Sequence, residues 1–324
     1  MKLVTFRRSD HRIPELGVLT EGRVASLTAL EKGPAFSSMQ ALIDAGPEAW
    51  EAARQAESTL PASAFLREGS FTLLAPLPIP VQIRDFMAFE LHLRQSLESV
   101  ARLRAMAAGT DQEEAVEAAR RAGQLEPPPV WFDQPVYYKA NRFAVSGPDD
   151  TILWPSYSSL MDYECELACV IGRQGRDIGK KNAAAHIFGY TVFNDFSARD
   201  AQFAEMAGML GPAKGKDFDG ANAMGPCIVT PDEIGDPYDL DMTVTVNGEH
   251  RSTGSSSSMH HRFEDMIAWV SRSETLQPGE IFGSGTVGGG CGLEMMRLLE
   301  DGDCVEITIE KIGTLTNTIR TKAP

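Results

Sequence analysis

The stretch Asp162-Tyr163-Glu164-Cys165-Glu166-Leu167-Ala168-Cys169-Val170-Ile171-Gly172 constrains the fold more than any other part of the chain. Its apolar and β-branched residues run to a terminating glycine and fit no 3.6-residue period, so it predicts a strand. Side chains alternate along a strand, which puts Glu164 and Glu166 on one face, roughly 7 Å apart. Cys165, Leu167, Cys169 and Ile171 then form an apolar reverse face. Two adjacent carboxylates on an otherwise buried strand need partners. Either that face is solvated, or it is half of an oxygen cage for a divalent cation.

A chain of 324 residues can bury a full core, and its 43% hydrophobic and 23% charged content is that of an ordinary globular protein. The net charge of −15 argues against nucleic acid or an anionic membrane surface as partner. The five cysteines are odd in number and none stands in C-x-x-C spacing, and Cys165 and Cys169 read as core thiols. No apolar run is long enough to span a bilayer, and the expected location is a reducing cytoplasm.

Short β runs over residues 3–27 and an amphipathic helix over 38–57 precede the stiff Pro76-Leu77-Pro78-Ile79-Pro80. Residues 1–75 are therefore expected to form a small N-terminal α/β domain, and 76–324 the catalytic one. His92 opens a helix whose Leu93, Leu97 and Val100 make an apolar stripe, and residues 107–126 suggest a surface helix after it. The strand at 187–193 runs through Asn194-Asp195 into a helix carrying Arg199 and Gln202 one turn apart on one face. Residues 238–252 alternate from Leu240 into Asn247-Gly248, a hairpin signal. The loop before Lys216 is no P-loop, because Leu210 and Asp217 occupy positions that require glycine and Ser or Thr. The glycine-dense run 283–292 is either a connector or a backbone approach to an anionic ligand. Many strands with few helices predict an α+β fold.

The motifs fall in one order: Asp85 with His92, Asp162-Tyr163-Glu164-x-Glu166-Leu167, Asn194-Asp195-x-Ser197-Ala198-Arg199-Asp200, Gly215-Lys216, and Gly283-Ser284-Gly285-Thr286. Over about residues 76–320 this order resembles the fumarylacetoacetate hydrolase superfamily. The resemblance implies a mixed β-sandwich roll holding one Mg²⁺, with Mn²⁺ or Ca²⁺ as alternatives, on Asp85, Glu164, Glu166 and Asp195. It makes His92 a general base and Arg199, Gln202 and Lys216 the holders of substrate oxygens, with Lys216 also assisting catalysis. Gly285 and Thr286 match the place that receives a substrate carboxylate, and Tyr138 matches an aromatic position of the site. One branch orients the histidine with a glutamate three residues on, where this chain has Gln95. Another branch uses a glutamate after the glycine-rich loop, here Glu294, with Glu90 nearer in sequence. Where the family's namesake has two tyrosines, this chain has Met87 and Met206, so an apolar substrate tail is expected there.

The activity implied is hydrolytic C–C cleavage of an acylpyruvate-type 2-oxo acid. Decarboxylation, isomerisation and hydration share its enolate and stay open. A non-catalytic binding protein would have no need of His92 and Lys216. A homodimer is expected, with a segment over about 88–130 serving as a lid.

Overall fold

The computed structural model describes residues 1–30 and 33–321. Its centre is the strand Cys165–Ile171, every residue of which is buried. It pairs antiparallel with Ile187–Asp195 on one side and with Glu280–Gly283 on the other. The latter pairs in parallel with Gln82–Phe86, which in turn pairs with Tyr137–Ala140. A second, five-stranded sheet contains the hairpin Asp241–Val246 with Glu249–Ser255, the strands Cys304–Ile309 and Gly313–Thr321, and Thr151–Trp154. The hairpin turns at Asn247 and Gly248, both in the left-handed region with φ of 53° and 75°, as the sequence signal requires.

Alternation along the central strand divides the core in two. Cys165, Leu167, Cys169 and Ile171 pack into one cluster with Met242, Val244 and Ile307 of the second sheet. Ala168 and Val170 point the other way, into a cluster with Leu3, Met39, Leu42 and Ile43. Both faces of the strand are covered, so a polar side chain on it has to find its partners inside the protein.

The N-terminal strand Lys2–Arg8 joins the same large sheet, with Lys2 opposite Val229 and Leu3 opposite Ile228. Main-chain pairing therefore crosses the expected boundary near residue 75, and the Thr5 hydroxyl donates to the carbonyl of Pro76 at 2.7 Å. The single helix expected over 38–57 is two, Met39–Ala45 and Pro47–Ser58. Gly46 at φ 79° breaks the ladder, and Pro47 suits the first turn of the second helix, where no amide is needed. The surface helix expected over 107–126 is the shorter Gln112–Arg121, started by Asp111 accepting from the Glu114 amide at 2.8 Å. No described helix is long and apolar enough to cross a membrane.

Leu3 is fully buried against residues of both the N-terminal helices and the central strand. Leu3→Ala should cost about 2–5 kcal/mol, read as a lower urea midpoint of one global transition. A change confined to an early, partial transition would show that the N-terminal strand unfolds independently of the large sheet.

Candidate active site

Three strands end at one place. The pairings set Gly283 opposite Asp85, Asp85 opposite Tyr138, and Asn194 opposite Cys165. These registers bring Asp85, Glu164, Glu166 and Asp195 together, each offering an oxygen within 4.8 Å of the others. All four are buried. The face bearing Glu164 and Glu166 is therefore not solvated. Glycine at 283 leaves room for these oxygens, because a Cβ would stand 2.5 Å from Asp85 Oδ1 and 2.9 Å from Glu166 Oε2 and push them aside.

Two cationic side chains enter from the helical side. Lys216 Nζ donates to Glu164 Oε2 and Asp195 Oδ2, both at 2.6 Å. Arg199 contacts Glu164 Oε1 at 2.7 Å and donates to Asp162 Oδ2 through two nitrogens, at 2.9 and 2.7 Å. The Gln202 carbonyl accepts from Arg199 at 3.0 Å, as their one-turn spacing suggests. Tyr138 donates to Asp195 Oδ2 at 2.6 Å, and the amide of Gly285 donates to Glu166 Oε2 at 3.0 Å. Thr286 is buried beside that amide.

The charges do not balance. Burial pushes the Glu164 carboxyl up, but Lys216 and then Arg199 outweigh it and hold the group at about 2. Asp85 and Glu166 lack such partners. Burial raises both well above the usual carboxylate range; repulsion from Asp195 adds to it at Asp85, and the neighbouring Asp85 adds to it at Glu166. Burial likewise keeps the Tyr138 phenol protonated, with Asp195 reinforcing the effect. With all four carboxyls ionised, Lys216 and Arg199 would leave two negative charges uncompensated, so without a further cation Asp85 and Glu166 are held toward their protonated forms. Asp85 Oδ1, Glu166 Oε1 and Asp195 Oδ1 are buried and meet no hydrogen-bond donor. An all-oxygen donor set with uncompensated charge fits a hard divalent cation of the Mg²⁺, Mn²⁺ or Ca²⁺ type.

His92 lies in the first turn of the helix Glu90–Ala108 and is 8% exposed. Its Nδ1 is 3.2 Å from Glu294 Oε1, although the two are not aligned as a hydrogen bond. Amides of the glycine-rich turn orient that carboxylate: Gly289 donates to Oε1 at 3.1 Å and Cys291 to Oε2 at 3.0 Å. Glu90 faces elsewhere and accepts from Arg94 one turn on, at 2.8 Å. Gln95 accepts from the Gly289 amide at 3.1 Å, so it ties the helix to the turn.

The helix does not bury its Leu93–Leu97–Val100 stripe as expected. Those residues are half-buried, and the fully buried positions include His92 and Ser99. The helix docks by its polar contacts to the glycine-rich turn, which rotates the leucines partly outward. Its lead-in is pinned as well, with Trp131 donating to the Met87 carbonyl at 2.7 Å and the His260 amide to the Ala88 carbonyl at 2.9 Å. Met87 is half-buried, and Met206 stands at the end of its helix, half-exposed.

Asp162 had no role assigned from sequence. Fully buried, it accepts from Arg199 and from the amides of Gly292 and Leu293, at 2.7 and 2.9 Å, and so links the cage to the turn that carries Glu294. The only sequence signal was its place two residues before Glu164, on a strand with no other use for a carboxylate.

A family profile described as fumarylacetoacetate (FAA) hydrolase C-terminal matches residues 106–320. The mitochondrial oxaloacetate tautomerase of Xenopus laevis is 30% identical over 324 residues, spanning 98% of this chain and 90% of that one. Its human counterpart is 36% identical over 187 residues, which cover 57% of this chain and 59% of the human protein. Among solved structures, fumarylacetoacetate hydrolase from Exiguobacterium antarcticum superposes with a TM-score of 0.75 at 28% identity, covering 99% of this chain and 100% of that one.

Cation binding at the cage should raise the melting temperature. A ligand at about 100 times its Kd stabilises a protein by about 2.7 kcal/mol, so Mn²⁺ titration followed by thermal unfolding should show a saturable upward shift. Gly283→Ala, whose methyl group would displace Asp85 and Glu166, should abolish that shift. An equal shift in wild type and variant would place cation binding outside the cage.

Proposed function

The chain belongs to the fumarylacetoacetate hydrolase family, and from that premise we propose that it is a divalent-metal-dependent enzyme interconverting the enol and keto forms of a short 2-oxo acid of the oxaloacetate class. The observation that carries this is the buried His92 imidazole set against the amide-held Glu294 carboxylate, at the rim of a buried carboxylate cage. Its relatives in frog and human bear the name oxaloacetate tautomerase, which supports the choice among reactions that share an enolate.

Tautomerisation moves one proton between C3 and the 2-oxo oxygen. A cation held by Asp85, Glu164, Glu166 and Asp195 would supply Lewis-acid charge for that oxygen. His92 takes the proton from C3 of the keto form and returns it in the reverse direction. Glu294 orients the ring by facing Nδ1, which leaves Nε2 as the basic nitrogen. Lys216, which stays an ammonium because Asp195 and Glu164 outweigh the effect of its burial, holds negative charge building on the substrate oxygens. Arg199 and Gln202 hold further oxygens. With the Gly285 amide engaged by Glu166, Thr286 is the donor left at that corner for a substrate carboxylate. Met87 and Met206 would flank the distal end.

Hydrolytic C–C cleavage of an acylpyruvate is the second reaction the site can serve. There His92 would take its proton from water rather than from carbon. Its support is the whole-chain likeness to the Exiguobacterium hydrolase.

One stopped-flow experiment separates the two. Enol-oxaloacetate mixed with enzyme and Mg²⁺ should lose its near-ultraviolet enol absorbance faster than in a protein-free Mg²⁺ control. His92→Ala should lower kcat by about 10²–10⁴-fold, the usual worth of a positioned base, and Glu294→Gln by less. Wild-type turnover in His92→Ala would remove this base from the chemistry. Pyruvate release from acylpyruvates, without accelerated enol decay, would make hydrolysis the activity.

A further inference from the structure

Beside the all-oxygen cage stands a second group of a different chemical kind. A ring nitrogen of His92, the sulfur of Cys291 and a carboxylate oxygen of Glu294 all lie within 4.8 Å of one another. Cys291 is fully buried, and its thiol has no part in the reaction proposed above. His92 Nδ1 is buried and faces Glu294 without a formed hydrogen bond. These are the three donor types that zinc takes: imidazole nitrogen, thiolate sulfur and carboxylate oxygen.

We propose that His92, Cys291 and Glu294 form a binding site for a thiophilic divalent ion of the Zn²⁺ class, and that filling it switches the enzyme off. The ligand charges suit the ion. One thiolate and one carboxylate cancel a charge of +2, so a buried site becomes neutral, whereas the cage offers oxygen alone. Donors no more than 4.8 Å apart, with His92 Nδ1 already 3.2 Å from Glu294 Oε1, are within reach of zinc bonds of about 2.0–2.3 Å once drawn in around the ion. Three protein ligands leave a fourth position for water.

The switch follows from the imidazole. In the working state Nδ1 carries the hydrogen that faces Glu294, and Nε2 is the base. An ion on Nδ1 takes that position, so the neutral ring carries its hydrogen on Nε2 and no longer accepts a proton. The Cys291 proton leaves to solvent as the sulfur binds, so one proton is released for each ion bound. This inactivation rests on the role proposed for His92. The metal site itself does not.

The test uses the full-length protein with Mg²⁺ in large excess, so that the cage is filled, titrated with Co²⁺ as a spectroscopic probe and then with Zn²⁺. The expected result is a sulfur-to-cobalt charge-transfer band saturating at one equivalent, loss of that band when Zn²⁺ displaces Co²⁺, and loss of activity in step. Cys291→Ser, nearly isosteric, should lose the band and the one-equivalent Zn²⁺ inhibition. Absence of the band in wild type overturns the site whatever the variant does, and so does an undiminished band in Cys291→Ser. A band with no turnover on any 2-oxo acid would count against the proposed reaction and leave the metal site standing. A band without loss of turnover would overturn the switch.

Discussion

Like-charge repulsion among buried carboxylates governs the arrangement around them. Asp85, Asp162, Glu164, Glu166 and Asp195 are all buried, and among the described residues only Arg199 and Lys216 are buried cations in contact with them. Oxygens of Asp85, Glu164, Glu166 and Asp195 lie within 4.8 Å of one another, and at that separation and an effective dielectric near 20 each ionised like pair would cost about 3.5 kcal/mol. Lys216 bridges Glu164 to Asp195, and Arg199 bridges Glu164 to Asp162, so of the four cage carboxylates Glu164 alone meets a cation at each oxygen. Asp85 and Glu166 are left without a cationic partner, an imbalance that a bound divalent ion would relieve. A group of acids so disposed weakens the apo fold and strengthens binding by the same amount of repulsion relieved.

The second constraint is the sharing of one carboxylate between two parts of the site. Asp162 receives the Arg199 guanidinium on one side and the Gly292 and Leu293 amides on the other. The glycine-rich turn is thereby fixed relative to the cage, and through Gly289 and Cys291 it fixes Glu294. His92 comes from a distant helix and meets Glu294 because Gln95, Trp131 and the His260 amide hold that helix and its lead-in. His92 and the cage are thus joined through backbone amides of the glycine-rich turn that the side chains of Asp162, Glu294 and Gln95 accept from.

Much of this was legible from local pattern. Two glutamates at i and i+2 on a run of buried residues could hardly be solvated once the strand proved central, and Arg199 and Gln202 kept their one-turn relation. The Asn247-Gly248 turn needed no tertiary context, because its φ values follow from the two residues themselves. The docking face of the His92 helix was misjudged, since apolar periodicity reports average burial and not which polar contacts seat a helix. The amphipathic pattern over 38–57 runs across Gly46-Pro47, a pair that carries its own stop signal and divides the segment into two helices.

The sequence by itself determined the donor types, the strand that bears two of them, and the order of motifs that places the chain in its family, because alternation and turn chemistry act over a few residues. The tertiary structure decided which of these groups meet. It set Glu294 rather than Glu90 against His92, gave Lys216 to Glu164 and Asp195 together, and brought the Arg199 guanidinium and the Gly292 and Leu293 amides to Asp162. Those choices depend on strand register and helix docking, where shifting a strand by one residue turns every carboxylate to the opposite face.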